Sequence, residues 1–157
     1  MTLLQNDHTV WMREALLEAR KAFNKDEVPI GAVVVYENRI IGRGHNLVET
    51  LQDPAAHAEM LAINAAANSL ASWRLEDCIL YTTLEPCMMC AGAILLSRMP
   101  VVVYGAKDPR YGACGTRLQI VDNEDLDVQA GIVSGILEDE CGGLIKEFFN
   151  KVRQRSL

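Results

Sequence analysis

Four side chains of this sequence could together bind a metal ion and move a proton: His57, Glu59, Cys87 and Cys90. Glu59 stands two places after the histidine, and the cysteines stand three places apart, directly after Pro86. One imidazole and two thiolates are three good ligands for zinc. Catalytic zinc sites leave a fourth position to water, whereas structural sites are closed by four protein ligands. The spacing therefore favours a catalytic site with an open position.

Glu59 is suited to take the proton from such a water molecule. Two thiolates cancel the formal charge of Zn²⁺, so the metal is a weaker acid than with three histidines, and a neighbouring carboxylate would help. A closed structural site stays an alternative, because Cys78 or Cys114 could supply a fourth thiolate. Neither is paired with another ligand at C-x-x-C spacing, which makes this alternative the weaker one.

Alternating helices and strands must bring these residues together. Asp53 is placed to cap one helix and Pro54 suits its first turn, so His57 should lie about one turn inside it. The next helix should start at Pro86 and carry both cysteines in its first turn, where the helix N-terminus favours thiolate. Hydrophobic periodicity and turn residues predict helices over 8–23, 52–70, 86–98 and 139–155, a two-stranded hairpin within 27–46 that turns at Glu37-Asn38, and strands over 78–85, 101–108 and 130–137.

This order of elements predicts an α/β fold, a three-layer α/β/α sandwich around a mixed five-stranded sheet. The first two strands should be antiparallel. The strands at Ile79 and Val101 should be parallel, because the helix between them makes the crossover. The length of 157 residues predicts a single domain over residues 1–157.

The composition excludes several classes of protein. No apolar run approaches the roughly 20 residues of a membrane span, and no signal peptide is recognisable at the N-terminus. Five cysteines, an odd number, do not suit a disulfide framework, so a cytoplasmic location is expected. The net charge of −6 gives no general attraction for nucleic acid. Positive charge is nevertheless concentrated in residues 98–117 and 146–155, and negative charge in 122–127 and 138–140.

Longer segments resemble a known family. H-x-E followed by P-C-x-x-C is the signature of zinc-dependent nucleobase deaminases, and the sequence resembles the cytidine deaminase superfamily. Within it, the segments "EVPIGAVVV", "AHAEMLAI", "WRLEDCILYTTLEPCMMCAGAILLSR" and "GILEDECGGLIKEFF" resemble the bacterial tRNA-specific adenosine deaminases. Such segments cover most of the chain.

The resemblance implies a cytidine deaminase-like fold, one zinc ion per subunit held by His57, Cys87 and Cys90, and Glu59 as the catalytic acid and base. It also implies a homodimer that acts on a tRNA anticodon stem-loop. Contacts to the substrate would come from Asn46, Asp108, Phe148 and Phe149. Basic residues that could contact the RNA backbone are Lys107, Arg110, Lys151, Arg153 and Arg155.

The leading hypothesis is therefore hydrolytic deamination of adenosine to inosine at the wobble position of a tRNA anticodon loop. One segment departs from the family, which usually has Asn-His before the last strand, where this chain reads "LDVQ" with Asp127 and Val128. An acidic loop beside a phosphate backbone is unfavourable. The alternative is deamination of a free nucleobase or nucleoside such as guanine, cytosine or an adenine derivative. A third hypothesis, a non-catalytic zinc-stabilised RNA-binding module, is disfavoured by the intact Glu59.

Overall fold

The computed structural model of the chain describes residues 7–156, so the two ends of the predicted domain 1–157 lie outside the described part. Its helices are α1 (His8–Asn24), α2 (Val48–Leu51), α3 (Ala58–Leu70), α4 (Met88–Leu96) and α5 (Glu138–Arg155). Its strands are β1 (Gly31–Tyr36), β2 (Arg39–His45), β3 (Cys78–Leu84), β4 (Val101–Ala106) and β5 (Gly131–Val133). None of these helices combines the length and the apolar character needed to cross a lipid bilayer.

The five strands form one mixed sheet in the order β2-β1-β3-β4-β5. β1 is antiparallel to β2 and β3, whereas β4 is parallel to β3 and β5. The hairpin turns at Glu37 and Asn38, whose φ angles of 47° and 60° suit a two-residue turn between antiparallel strands. The predicted mixed five-stranded sheet, the antiparallel first pair and the parallel pair at Ile79 and Val101 are confirmed.

Alternate residues of the central strands face opposite sides of the sheet and build two hydrophobic cores. Tyr81 and Val103 pack on one face with apolar residues of α1 and α5. Leu80 and Val102 pack on the other face with apolar residues of α3 and α4. The sheet is therefore covered by helices on both faces, and the predicted three-layer α/β/α sandwich is confirmed.

Helix α3 packs very closely against β2 because β2 contains a glycine. A Cβ atom on Gly42 would overlap the backbone carbonyl oxygen of Ala62 in α3. Gly44 permits the same approach at the N-terminal end of α3, where an added Cβ atom would lie 2.4 Å from the carbonyl oxygen of Ala58. The two glycines thus hold this end of α3 beside the end of the sheet where β2 finishes.

Helix α3 begins later than the sequence predicted. It starts at Ala58, because the Asp53 carboxylate accepts a hydrogen bond from the Ala55 N–H at 2.9 Å and forms a turn ahead of the helix. His57 is therefore the N-cap residue, and the prediction that it lies one turn inside the helix was wrong. The short helix α2, which precedes this turn, was not predicted.

Helix α4 also begins later than predicted, at Met88 rather than Pro86, with Cys87 as its N-cap residue. The N-cap residues of α3 and α4 share two features: an extended backbone, and a side chain that makes no capping hydrogen bond. The side chains of His57 and Cys87 are therefore left to bind something else.

Candidate metal centre and active site

The four residues with the chemistry of a metal site meet at one edge of the sheet. β3 and β4 end at this edge, and β1, which is antiparallel to β3, begins there. His57 and Glu59 reach it from the start of α3, and Cys87 and Cys90 from the start of α4. Both helices direct their N-terminal ends, with their partial positive charge, toward the same point.

The spacing of the ligand atoms fits a tetrahedral metal ion. His57 Nδ1 lies 3.6 Å from the sulfur of Cys87 and 3.6 Å from the sulfur of Cys90. Tetrahedral zinc, with bonds of about 2.0–2.1 Å to nitrogen and about 2.3 Å to sulfur, would separate such atoms by about 3.6 Å. Among residues 7–156, these three form the one group of His, Cys, Asp or Glu side chains that could hold a metal ion, and neither Cys78 nor Cys114 belongs to it.

The thiols of Cys87 and Cys90 lie together, and the thiol of Cys87 loses its proton more easily than that of Cys90. The hydrogen bond with Cys90, followed by that with His57, lowers the pKa of Cys87 to about 4. The same bond with Cys87, together with burial, raises the pKa of Cys90. The hydrogen bond with Cys87 also raises the pKa of His57. One thiolate is thus available at neutral pH, and a bound cation would favour loss of the second thiol proton and of the proton that the raised pKa retains on His57.

Glu59 is buried beside these ligands, with 4% of its surface exposed. Burial raises the pKa of its carboxyl group to about 7, despite the opposing effect of the His57 charge. A carboxyl group with this pKa can both accept and donate a proton near neutral pH.

Two cavities open next to His57. The metal-site cavity has a volume of about 590 Å³, and its lining includes His57, Glu59, Cys87, Lys107, Asp108 and Phe149. The neighbouring cavity has a volume of about 430 Å³, and its lining includes Asp26, Glu27, Asn46, His57 and Phe148. Both volumes are typical of small-molecule pockets.

The structure places all four predicted substrate contacts at these cavities. Asn46 follows β2 directly and is buried; its amide donates to the Val28 carbonyl oxygen at 3.3 Å. Phe148 and Phe149 lie edge-to-face with their ring centres 5.4 Å apart, one in each cavity. Asp108 is in the wall of the metal-site cavity, beyond the end of β4.

The predicted RNA-backbone contacts fall into two groups. Lys107 and Arg110 line the metal-site cavity. Lys151, Arg153 and Arg155 lie in the last turns of α5, outside both cavities. Two of the five basic residues therefore line the metal-site cavity, and the other three lie outside both cavities.

Three buried glutamates near the site were missed by the sequence predictions. Glu27 accepts hydrogen bonds from the backbone N–H groups of Glu49 and Thr50 at 3.0 and 2.8 Å. Burial works to raise its pKa, but these hydrogen bonds outweigh burial and the pKa is lowered. Glu18 lies 3.2 Å from the ring of His45, the residue before Asn46. The third, Glu85, holds the loop after β4.

The acidic segment 122–127 lies away from the site. None of its residues, all of which the structure describes, lines either cavity. The segment precedes β5, whose Gly131 N–H donates to the Pro100 carbonyl oxygen at the start of β4. Because β4 and β5 are parallel, the segment is at the opposite edge of the sheet from the metal ligands. The expectation that this loop lies beside an RNA backbone has no support from the fold.

Comparisons with known proteins agree with the class of enzyme that this fold and these side chains indicate. The model of the MafB19-like deaminase family matches residues 6–153 of this chain. A tRNA-specific adenosine deaminase of Bacillus subtilis (strain 168) is 53% identical over 146 residues, which are 93% of this chain and 91% of the relative. A solved structure of a tRNA:A34 deaminase, described for A-to-I editing at the wobble position of transfer RNA, is 41% identical with a TM-score of 0.83. It covers 87% of this chain and 99% of its own.

The similarity extends to a deaminase with another substrate. The structure of guanine deaminase from Bacillus subtilis is 42% identical with a TM-score of 0.62, over 65% of this chain and 66% of its own. The matched proteins are deaminases, which defines the class, and the predictions of a deaminase fold and of an enzyme are confirmed. The chain belongs to the MafB19-like deaminase family and, within it, to the same family as the tRNA-specific adenosine deaminase of Bacillus subtilis.

Proposed function

We propose that this chain is a zinc-dependent enzyme that hydrolyses adenosine to inosine at the wobble position of a tRNA anticodon loop. The observation that carries the chemistry is the convergence of His57, Cys87 and Cys90 within 4.8 Å of one another. The same cavity is lined by the buried carboxyl group of Glu59. The substrate follows from the likeness, over 93% of the chain, to a tRNA-specific adenosine deaminase.

Each side chain of the site then has a role in the reaction. His57, Cys87 and Cys90 would hold the zinc ion, which supplies Lewis-acid activation of a water molecule at its open position. Glu59, the carboxyl group beside the ligands, would accept one proton of that water and pass it to the ring nitrogen N1 of the base, and would then carry the second proton of the same water to the amino group, which leaves as ammonia.

The target base would enter unstacked from the single-stranded loop, as sequence-specific RNA recognition usually requires. Asn46, which lines the neighbouring cavity, would hydrogen-bond the base, and Phe148 and Phe149 would offer aromatic surface to it or to the next base. Lys107, Arg110 and the basic end of α5 would contact phosphates around the two cavities.

The deciding experiment measures ammonia release and inosine formation with an anticodon stem-loop RNA that has adenosine at the wobble position. Adenosine, cytidine, guanine and an adenine derivative are assayed in parallel, and Glu59→Gln is the inactive control. We expect turnover of the stem-loop to exceed that of free adenosine, because binding energy from the rest of the RNA contributes to stabilising the transition state. Turnover of a free base with none of the RNA would contradict the proposal.

Guanine is the second candidate substrate, because a guanine deaminase is among the similar structures. That likeness covers 65% of the chain, whereas the tRNA:A34 deaminase structure covers 87% with a higher TM-score. The tRNA substrate is therefore preferred. The non-catalytic RNA-binding hypothesis loses its basis, because the relatives are enzymes and Glu59 lies in the cavity.

We further propose that the chain forms a homodimer through α4. This helix is apolar throughout, yet Met88 is 53% and Leu96 71% exposed in the single chain. Light scattering of the purified protein should give twice the chain mass, and Leu96→Glu should give the monomer mass. A single domain over 1–157 and a cytoplasmic location, where tRNA would be met, stay predictions.

A further inference from the structure

Glu85 has a buried carboxyl group, and both of its oxygens accept hydrogen bonds from a single loop. It follows β3 directly and is 1% exposed. Its carboxylate accepts hydrogen bonds from the backbone N–H groups of Asp108 at 3.2 Å, Cys114 at 3.0 Å and Thr116 at 3.1 Å. The hydroxyl of Thr116 donates a fourth hydrogen bond. A buried carboxylate without such donors would be very unfavourable.

These donors belong to the loop that forms one wall of the metal-site cavity. The loop covers residues 107–116, and its first part, Lys107 to Tyr111, lines the cavity together with Glu85 itself. The loop passes so close to the carboxylate that a Cβ atom on Gly112 would lie 2.5 Å from Glu85 Cδ. Glu85 is thus in contact with the beginning, the middle and the end of this loop.

Within the cavity-lining turn 107–111, the remaining hydrogen bonds are short-range. Farther along the loop, the Ala113 N–H also donates to the Pro86 carbonyl oxygen at 2.9 Å. The Asp108 carboxylate accepts hydrogen bonds from the N–H groups of Arg110 at 2.9 Å and Tyr111 at 3.2 Å, which shapes the turn that faces the cavity. The turn is tied to the sheet by the bond from the Asp108 N–H to Glu85. If Glu85 no longer accepts this hydrogen bond, the turn can keep its own shape but lose its position relative to the sheet.

We propose that Glu85 is a positioning residue that holds loop 107–116 in place as the substrate-binding wall of the cavity. It acts on RNA through Lys107, Asp108 and Arg110, and not on the proton transfer by Glu59. The proposal rests on the proposed function, since it assigns to this wall the recognition of nucleotides around the target base.

The test is Glu85→Gln, which keeps the size of the side chain and replaces one accepting oxygen by an NH₂ donor. The amides of 108, 114 and 116 should exchange hydrogen about 10-fold faster or more, as expected for loss of bonds to a charged acceptor. The KM for anticodon stem-loop RNA should rise about 10-fold, a loss of about 1.4 kcal/mol, with kcat changed less than about threefold. Zinc content should equal that of the wild type.

Leu75→Ala is the control for a merely structural effect. Leu75 is fully buried and precedes β3, at the opposite edge of the sheet from the loop. It should lower the melting temperature without raising KM or selectively accelerating exchange in 107–116. Thr116→Val removes only the hydroxyl donor and should shift KM and exchange in the same direction as Glu85→Gln, but less, so the proposal stays testable if Glu85→Gln does not fold.

Two results would overturn the proposal. One is wild-type exchange in the loop of Glu85→Gln or of Thr116→Val. The other is faster exchange with an unchanged KM for the substrate that the wild-type enzyme turns over. If that substrate proves to be a free base, the proposed function fails. The exchange rates and the KM for the free base then still decide whether Glu85 positions the wall.

Discussion

Asp26 offers a sharp test of RNA binding, because it pairs with the basic end of α5. Its carboxylate accepts a hydrogen bond from the Arg155 guanidinium at 2.9 Å and lies 3.7 Å from the Lys151 ammonium group. The hydrogen bond with Arg155, and then its charge, lower the pKa of Asp26, so this carboxylate is ionised at neutral pH. We predict that Asp26→Asn strengthens RNA binding, because both cations become available to phosphates. Asn also tolerates the φ of 60° at this position.

The magnitude follows from counterion release. Each phosphate contact on a single strand contributes about 0.7 to the slope of log K against log salt concentration. One carboxylate offsets one cation, so Asp26→Asn should steepen the slope by up to about 0.7. Replacing Lys151, Arg153 and Arg155 by alanine should flatten it by up to about 2.1 if all three contact phosphates, and by about 0.7 if only Arg153 does. Turnover of a free nucleoside should barely change in the triple variant, because Lys151, Arg153 and Arg155 lie outside both cavities.

The assay is equilibrium binding of fluorescent anticodon stem-loop RNA over a series of salt concentrations, in a Glu59→Gln background that prevents turnover. Asp127→Asn is the matched control: it makes the same change of charge in the acidic segment 122–127, far from the cavities. It should leave affinity and slope unchanged. Wild-type slopes for both Asp26→Asn and the triple variant would mean that RNA does not contact the end of α5, and the free-base hypothesis would then lead.

Three further predictions concern the metal, the proton and the fold. The double variant Cys87→Ser, Cys90→Ser should lose its zinc in metal analysis, and full stoichiometry would mean that other residues are the ligands. Glu59→Gln should keep zinc and fold but lose ~10²–10⁴ in rate, and a residual rate above about a tenth of wild type would exclude its role as proton carrier. Gly42→Ala should lower the free energy of unfolding in urea by about 1–3 kcal/mol through overlap with α3. Gly143→Ala, where a Cβ atom meets nothing within 4 Å, should raise it by about 0.5–1 kcal/mol; equal effects would contradict the packing argument.

The strands were predictable from the sequence, but the starts of α3 and α4 were not. Strand patterns and the Glu37-Asn38 turn are local signals, and each strand exists, although the last one, predicted over 130–137, is only Gly131–Val133. The rule that Asp caps a helix pointed to Asp53, whereas the actual N-cap residues are His57 and Cys87. Neither side chain caps its helix, and both turn toward the metal site instead. The capping rule fails here because these two positions are used for ligands.

The buried glutamates could not be predicted for a different reason. A lone glutamate is usually a solvated charge, and its neighbours in the sequence give no sign of the donors that it will meet. The donors to Glu27 stand 22 and 23 positions away in the chain, and those to Glu85 stand 23 to 31 positions away. Only the fold brings them together. One weak signal was available for Glu85, a charged residue at the end of an otherwise apolar strand, directly before Pro86.

The position of the acidic segment changes the weight of the two substrate hypotheses. Sequence alone placed the "LDVQ" departure beside the RNA and thereby favoured a free base. In the fold, Val128 packs against the hydrophobic core, and the acidic residues before it lie at the N-terminal end of β5. The six residues of β4 separate this end from the metal ligands by about 20 Å, more than twice the Debye length of about 8 Å at physiological salt. Repulsion of a phosphate at the cavity is therefore largely screened. Two exposed acids line the neighbouring cavity, Asp26 and Glu49, and Asp26 is bridged to two cations. The net charge of −6 is thus compatible with an RNA substrate, and the case for a free base depends on the structural likeness to guanine deaminase alone.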